Sequence, residues 1–175
     1  MLPDSIRHLK GEDLKNAIPD KIYISLKDMR ILTKVDMLML EMLANCNWER
    51  PLYMAISVGE VSKLKFDHYF VQEGLAFRFT PFDYKKWGNV KGDNNYAIDV
   101  ERLYENVMSR YKYGGLGTPG LYLDETTLRT CYYHRRLFAQ LAKELIRQGD
   151  NTRARKVLTY AEQAVPAYNV PEIYE

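Results

Sequence analysis

The side chains best suited to binding a ligand occur in one run, Tyr132-Tyr133-His134-Arg135-Arg136. Guanidinium groups bind carboxylates and phosphates through paired N–H donors, and aromatic faces stack on sugar rings and cations. We therefore predict that Tyr132, Tyr133, Arg135 and Arg136 bind a ligand or a partner. Because neighbouring helical residues point in different directions, the five side chains do not all share one face. The alternative is that the tyrosines pack on neighbouring elements and the arginines pair with nearby acids.

The histidines and cysteines do not have the spacing of a catalytic or metal site. His8, His68 and His134 lie far apart in sequence, and none has an obvious acid–base companion. Cys46 and Cys131 lack the CxxC or Cys/His spacing of a zinc site, and we interpret both as buried small apolar residues. We predict no catalytic residue and no bound metal.

A glycine-rich run contains the only string that suggests a cofactor. Gly115, Gly117 and Gly120 form a GxGxxG pattern, which in a dinucleotide site lies between a strand and the N-terminus of a helix. Here the string follows a predicted helix and contains Pro119. We therefore predict no cofactor and interpret the run as a flexible loop between subdomains.

The element that carries the aromatic and basic run is predicted between Arg135 and Pro166, where residue types follow the spacing of a tetratricopeptide-type helical hairpin. Small residues let the two helix axes approach closely, and larger apolar residues fill the seam. The residues at the repeat positions are Phe138, Leu141, Ala142, Leu145, Ala154, Leu158, Ala161 and Pro166. Gly149 favours the C-cap of the first helix, and Asn151 or Thr152 can cap the second.

Strand and helix patterns alternate in the N-terminal part of the chain. The apolar runs Ile22 to Leu26 and Leu52 to Val58 predict strands, the second of them covered on both faces. Leu75 to Thr80 alternates apolar and polar residues and predicts a half-exposed edge strand. Thr33 to Asn47 is so rich in Leu and Met that we predict it to be the most buried helix.

These elements predict an α+β fold. A small three-stranded sheet containing a βαβ unit is followed by a helical subdomain that ends in the tetratricopeptide-like hairpin at 135–166. We place an irregular N-terminal segment at residues 1–21, a small α/β subdomain at 22–98 and the helical subdomain at 99–175, with Asp99 as a helix cap.

Composition limits the classes of partner. The 175 residues include 25 Lys and Arg against 23 Asp and Glu, so the net charge of +2 does not favour a nucleic acid. No run approaches the roughly 20 apolar residues of a membrane span, and the first residues do not form a signal peptide. We expect a soluble fragment whose two ends are cut from a longer protein.

Several segments together resemble a family of multi-pass membrane proteins that is common in Bacteroidetes, carries a domain-of-unknown-function label and is related to protein O-mannosyltransferase-like proteins. The segments are Trp48-Glu49-Arg50-Pro51 with the strand to Val58, the helix Leu32 to Ala44, Tyr69 to Arg78, Tyr113 to Leu116, Tyr122 to Thr126, the hairpin, and Tyr168 to Pro171.

The resemblance covers about Ile22 to Pro171 and implies the context of the domain. It implies a periplasmic, C-terminal domain of a bacterial inner membrane protein. The transmembrane helices and the lipid-linked-sugar glycosyltransferase site would lie in the missing N-terminal half, which would also provide the attachment to the membrane. No catalytic residue of the family can be assigned to this chain.

Three functions follow as hypotheses. The first is a non-catalytic accessory domain of a membrane glycosyltransferase-like protein, which binds an acceptor polypeptide, a glycan or a protein partner. The second is a free-standing tetratricopeptide-like adaptor that holds a peptide. The third is a soluble enzyme on a degraded Rossmann-like half, with a polar pocket near Lys27-Asp28 and Gly59-Glu60.

Overall fold

The computed structural model describes residues 8–17, 21–22, 24, 26, 31–46, 50–58, 64, 67–84 and 96–171. The chain divides into two compact units, Met1–Asp99 and Val100–Glu175. Helices and a small sheet together confirm the predicted α+β class. The helices are α1 (Glu12–Ala17), α2 (Lys34–Asn45), α3 (Val100–Glu105), α4 (Glu125–Arg147) and α5 (Asn151–Ala164). None of the helices in these ranges is both long enough and apolar enough to cross a membrane.

Four short strands form the sheet in the described part of the first unit. They are β1 (Tyr53–Ala55), β2 (Phe70–Gln72), β3 (Ala76–Phe79) and β4 (Ala97–Ile98). The order is β1-β3-β2-β4, in which β3 runs antiparallel to β1 and β2, and β4 runs parallel to β2. Val71 lies opposite both Arg78 and Ala97 in this register. One 3-10 turn follows β1 at Ile56–Val58, and another precedes β2 at Asp67–Tyr69.

The sheet differs from the predicted three-stranded arrangement at its beginning. Ile22, Ile24 and Leu26 are not in a strand, and Tyr23 and Ser25 lie outside the described residues. Within the described ranges β1 is the first strand, so α2 does not connect two strands of a βαβ unit. Ile22 and Ile24 instead pack against the hydrophobic core. Their apolar character therefore serves burial without strand pairing.

One face of the sheet carries an aromatic core. Phe70 and Phe79 lie opposite each other in the β2–β3 register, with their ring centroids 5.3 Å apart in an edge-on arrangement. Phe77 makes a similar contact with Tyr96 at 4.6 Å. Because side chains alternate along a strand, Phe77 and Phe79 share this face.

The predicted exposures of two strands are wrong. The alternation of apolar and polar residues from Leu75 to Thr80 predicted a half-exposed edge strand, but β3 lies between β1 and β2, and Arg78, one of its polar residues, is buried. The pair formed with Glu73 makes this burial possible. The strand at Leu52 to Val58, predicted to be covered on both faces, is the edge strand β1, and the Tyr53 residue is 52% exposed.

The prediction that the Met-rich helix is the most buried one is also wrong. Only one residue of α2 is fully buried, Asp36, which forms a capping box with Thr33 at the start of the helix. Met37, Leu38 and Met42 are 61%, 60% and 51% exposed. One side of the helix packs on the sheet core through Met39, Leu40 and Leu43. A helix that covers a small sheet as one layer can bury only that side.

The second unit contains the predicted hairpin. Helices α4 and α5 pack against each other, and the residues in the seam are Phe138, Leu141, Ala142, Leu145, Ala154 and Val157. Gly149 has a φ of 84°, as expected for a left-handed C-cap. Helix α3 continues into a π-helical segment at Asn106–Arg110 and packs on α4.

Two details of the hairpin differ from the prediction. The cap of α5 is Asp150, whose carboxylate accepts a hydrogen bond from the Arg153 N–H at 2.9 Å, rather than Asn151 or Thr152. Leu158, expected in the seam, is 46% exposed, and its neighbour Val157 is buried instead. The side of α5 that enters the seam is therefore formed by Ala154, as the repeat assignment predicts, and by Val157 in place of Leu158.

Candidate functional site

Two regions are candidates for a functional site, the predicted face of α4 in the second unit and a buried polar cluster in the first. Within the α4 run, Tyr132, Tyr133 and Arg135 are half-buried and Arg136 is exposed. The Nη2 atom of Arg135 donates a hydrogen bond to the Val165 carbonyl at 2.8 Å, where α5 ends. This hydrogen bond holds the Arg135 side chain at the C-terminal end of α5. The guanidinium is therefore directed away from the exposed side of α4.

His134 lies among aromatic side chains rather than beside the arginines. Its ring contacts the Tyr113 and Tyr111 rings edge-on, with centroids 5.2 and 5.7 Å away. Tyr113 also contacts Phe138, and its hydroxyl donates to the Val107 carbonyl at 2.8 Å. Burial lowers the pKa of His134, so the neutral ring is favoured. This residue belongs to the packing of the second unit.

The glycine-rich loop is anchored by its carbonyl groups, contrary to its interpretation as a flexible loop. The Asn169 side-chain amide donates to the Leu116 and Thr118 carbonyls at 2.7 and 2.6 Å. The Tyr168 hydroxyl donates to the Gly117 carbonyl at 2.6 Å. The Leu116 and Thr118 N–H groups donate within the loop. The Leu116 and Thr118 N–H groups are therefore not free to point at a phosphate, as a phosphate cradle would require of them.

His68 has a carboxylate neighbour that sequence reasoning missed. Its Nε2 atom lies 4.0 Å from the Asp83 Oδ2 atom, and its ring lies 4.4 Å from that of Tyr69. A catalytic base and the group that orients it need a separation within about 3.2 Å. The pair as it stands is therefore an electrostatic contact at the edge of the core.

The cysteines are packing residues. Cys131 is buried and Cys46 half-buried, and both are free thiols. Burial raises the pKa of Cys131, which disfavours the reactive thiolate.

The buried polar cluster surrounds the turn between β2 and β3. The Arg78 Nε atom lies 2.6 Å from the Glu73 Oε1 atom, and both residues are buried. The Tyr53 hydroxyl donates to Glu73 Oε2 at 3.3 Å. Tyr53 and Arg78 are direct partners in the register, so they lie on the face opposite the aromatic core. Glu73 comes directly before Gly74, and Arg78 follows four residues after it. These opposite charges on the two sides of a glycine turn are the signal in the sequence that could have indicated the pair.

Further polar residues extend the cluster next to β3. The Thr80 hydroxyl donates to the Tyr69 carbonyl at 3.0 Å, and Thr80 is buried. Tyr84 is fully buried, and burial raises the pKa of its phenol, an effect that the hydrogen bond with the Thr80 side chain and the positive charge of Arg78 only partly offset. The phenol therefore stays neutral. Because these polar groups are enclosed in the first unit, the cluster holds the strands in place.

The comparison with protein families decides the identity of the first unit. The family model described as TMEM260-associated domain 2 matches residues 5–101, more than half of the chain. The chain belongs to the TMEM260-associated domain 2 family. Comparisons with the curated proteins and with the solved structures gave no significant match.

The TMEM260-associated domain contains both α2 and the buried Glu73–Arg78 pair. The predicted binding residues Tyr132, Tyr133, Arg135 and Arg136 lie beyond the matched range, so their role in binding stays a prediction. The positions Lys27-Asp28 and Gly59-Glu60, where the enzyme hypothesis requires a pocket, lie outside the described residues.

Proposed function

We propose that this chain is a non-catalytic interaction domain of a TMEM260-like membrane protein, and that α2 is the surface through which its first unit contacts a partner. The partner is an acceptor polypeptide, a glycan-bearing protein or another protein of the envelope. The observation that carries this proposal is the apolar side of α2 that lies on the surface of the family domain. The family match favours this hypothesis over a free-standing adaptor.

The exposed residues of α2 have the spacing of a docking surface. Val35, Leu38 and Met42 recur at three- and four-residue steps, so they lie together on one side of the helix, and Met37 extends the apolar surface. Each Å² of apolar surface that a partner removes from water contributes about 25 cal/mol of favourable free energy. Methionine is enriched in interface cores and adapts to partners of different shape. These properties support contact with a protein rather than with a small polar substrate.

The titratable groups of the described residues support a non-catalytic role. Arg78 and Glu73 are enclosed as a pair, and His134 is packed among aromatic rings. His68 and Asp83 lie 4.0 Å apart. The resemblance to O-mannosyltransferase-like membrane proteins, inferred from the sequence segments alone, is our ground for extending the proposal to a parent protein that transfers sugars, with its reaction in another part of that protein. It also supports a periplasmic position for this domain in a bacterial inner membrane protein.

Site-specific photo-crosslinking in the full-length membrane protein tests the α2 surface. A photoreactive residue in place of Leu38 is expected to give a defined adduct with a partner or with another segment of the parent. The matched control is the same residue in place of Glu162, an exposed position of α5. Adducts at neither position, or equal adducts at both, would contradict the proposal.

The position relative to the membrane is tested separately. Alkaline phosphatase fused after Glu175 in the full-length protein is active only outside the cytoplasm. Activity in intact cells is expected, and an inactive, stably expressed fusion would contradict the periplasmic placement.

A further inference from the structure

The outer side of α4 carries a line of cations. Arg129, Arg136 and Lys143 are spaced by seven residues and are all exposed. Seven residues make almost two helical turns, so the three side chains start from the same side of the helix, about 10.5 Å apart along its axis. Ala139, also exposed, lies between Arg136 and Lys143, and its small side chain leaves the line accessible.

The acids of α4 do not neutralise the central part of this line. Glu125 pairs with Arg129 at 3.4 Å, and Glu144 pairs with Arg147 at 2.7 Å. Among the residues that the structure describes, no carboxylate pairs with Arg136 or Lys143. Both cations therefore keep their full capacity to attract an anionic group.

The spacing of the charges limits the ligand that fits them. A single phosphate or carboxylate spans a few Å and cannot contact all three cations, whose positions lie about 10.5 Å apart and span about 21 Å along the helix axis. A chain that carries one negative charge at each such interval can contact all of them at once. Tyr132 lies one turn before Arg136, where its ring and hydroxyl can contact a polypeptide backbone. An acidic polypeptide segment has both properties.

We propose that the Arg129, Arg136 and Lys143 side of α4 binds an acidic polypeptide segment whose carboxylates follow the same interval. The proposal goes beyond the function assigned to α2, because it concerns the second unit and holds whether or not α2 contacts a partner. It keeps Arg136 and Tyr132 of the predicted site and replaces Arg135, which holds the end of α5, with Lys143.

Fluorescence anisotropy with a labelled helical peptide that carries glutamate at every seventh residue tests the proposal. Replacing both Arg136 and Lys143 by alanine is expected to weaken binding of the peptide by about tenfold. Added salt is expected to weaken binding of the peptide to the unsubstituted chain. The matched control is Arg155→Ala with Lys156→Ala, two exposed cations on α5, which remove the same charge and are expected to leave binding almost unchanged.

Several results would overturn the proposal. Equal losses in both double variants would show an effect of net charge alone, and tighter binding to phosphatidylglycerol vesicles than to the peptide would assign the surface to a membrane. Equal binding of a peptide with the same glutamates clustered at one end would contradict the spacing. If the alanine variant does not fold, Arg136→Glu with Lys143→Glu provides a second test, since it should bind the matching lysine peptide in place of the glutamate peptide.

Discussion

The Arg78 guanidinium lies 2.6 Å from the Glu73 carboxylate across the β2–β3 turn, and both side chains are almost fully removed from water. The hydroxyl of Tyr53, on the neighbouring strand β1, donates to the same carboxylate. A buried charge that loses its partner stays desolvated without compensation, whereas loss of both charges removes that cost. The Glu73–Arg78 pair and the Tyr53 hydroxyl therefore connect β1, β3 and the β2–β3 turn through buried polar contacts.

Replacing Arg78 by methionine is expected to destabilise the first unit strongly. The Glu73 carboxylate stays buried without its partner, so the free energy of unfolding should fall by about 3–5 kcal/mol in urea denaturation followed by circular dichroism. The double variant Glu73→Leu with Arg78→Met should recover most of this loss. Arg110→Met is the control, because Arg110 and Glu105 form an exposed pair. A loss in Arg78→Met no larger than in the control would show that the buried pair does not support the sheet.

Asn169→Ala is expected to release the glycine-rich loop. The side-chain amide donates to two carbonyls, at Leu116 and Thr118, and leaving them unpaired should cost about 1–3 kcal/mol. Hydrogen exchange should accelerate at the loop amides while the α4–α5 seam stays protected. Tyr168→Phe should have a smaller effect, because its hydroxyl is exposed and water can replace it. Unchanged exchange in both variants would show that other contacts hold the loop.

The second unit is expected to lose stability in mild acid through His134. Burial holds the pKa of this imidazole below its ordinary value of 6.5, so the folded state favours the neutral ring. The neutral His134 ring contributes its full stabilisation to the folded state above pH 6.5. This contribution is lost as the pH falls from 6.5 towards the pKa that His134 has in the folded state. Hydrogen bonds from the Thr127 side chain and the Arg153 backbone hold the pKa values of Asp124 and Asp150 below the ordinary range, so these acids do not titrate there.

The pH dependence is measured as the melting temperature between about pH 7.5 and about pH 5. His134→Phe keeps an aromatic ring against Tyr111 and Tyr113 and removes the titrating group. The melting temperature of the His134→Phe variant should therefore depend less on pH in this interval than the melting temperature of the unsubstituted chain. The same slope in both proteins would assign the acid sensitivity to another group.

The sequence predicted the features that arise from contacts between residues near each other in the chain. The α4–α5 hairpin follows from apolar residues three and four apart and from a short glycine joint, and its seam residues Phe138, Leu141 and Leu145 are buried as expected. By contrast, Arg78 is buried because Glu73 faces it across a turn, and no periodicity in either strand reports that pairing.

The exposure of α2 shows a second limit. Hydrophobic residues indicate which side chains gain from burial, but the area that can cover them depends on the size of the sheet. The sheet of the described residues has four strands of two to four residues, so Met39 and Leu43 are packed against the core while Met37 and Leu38 are not. The family domain thus retains an apolar surface that composition alone would place in the core.

The burial of Val157 in place of Leu158 provides the last prediction. Val157 is fully buried and Leu158 is nearly half exposed, although the repeat spacing places Leu158 in the seam. Val157→Ala should therefore lower the free energy of unfolding by about 1–3 kcal/mol, since it leaves a cavity between α4 and α5. Leu158→Ala removes more carbon atoms but leaves no enclosed cavity, so its cost should be smaller. Urea denaturation of the two variants measures the difference, and a larger loss for Leu158→Ala would place that leucine in the seam and contradict its observed exposure.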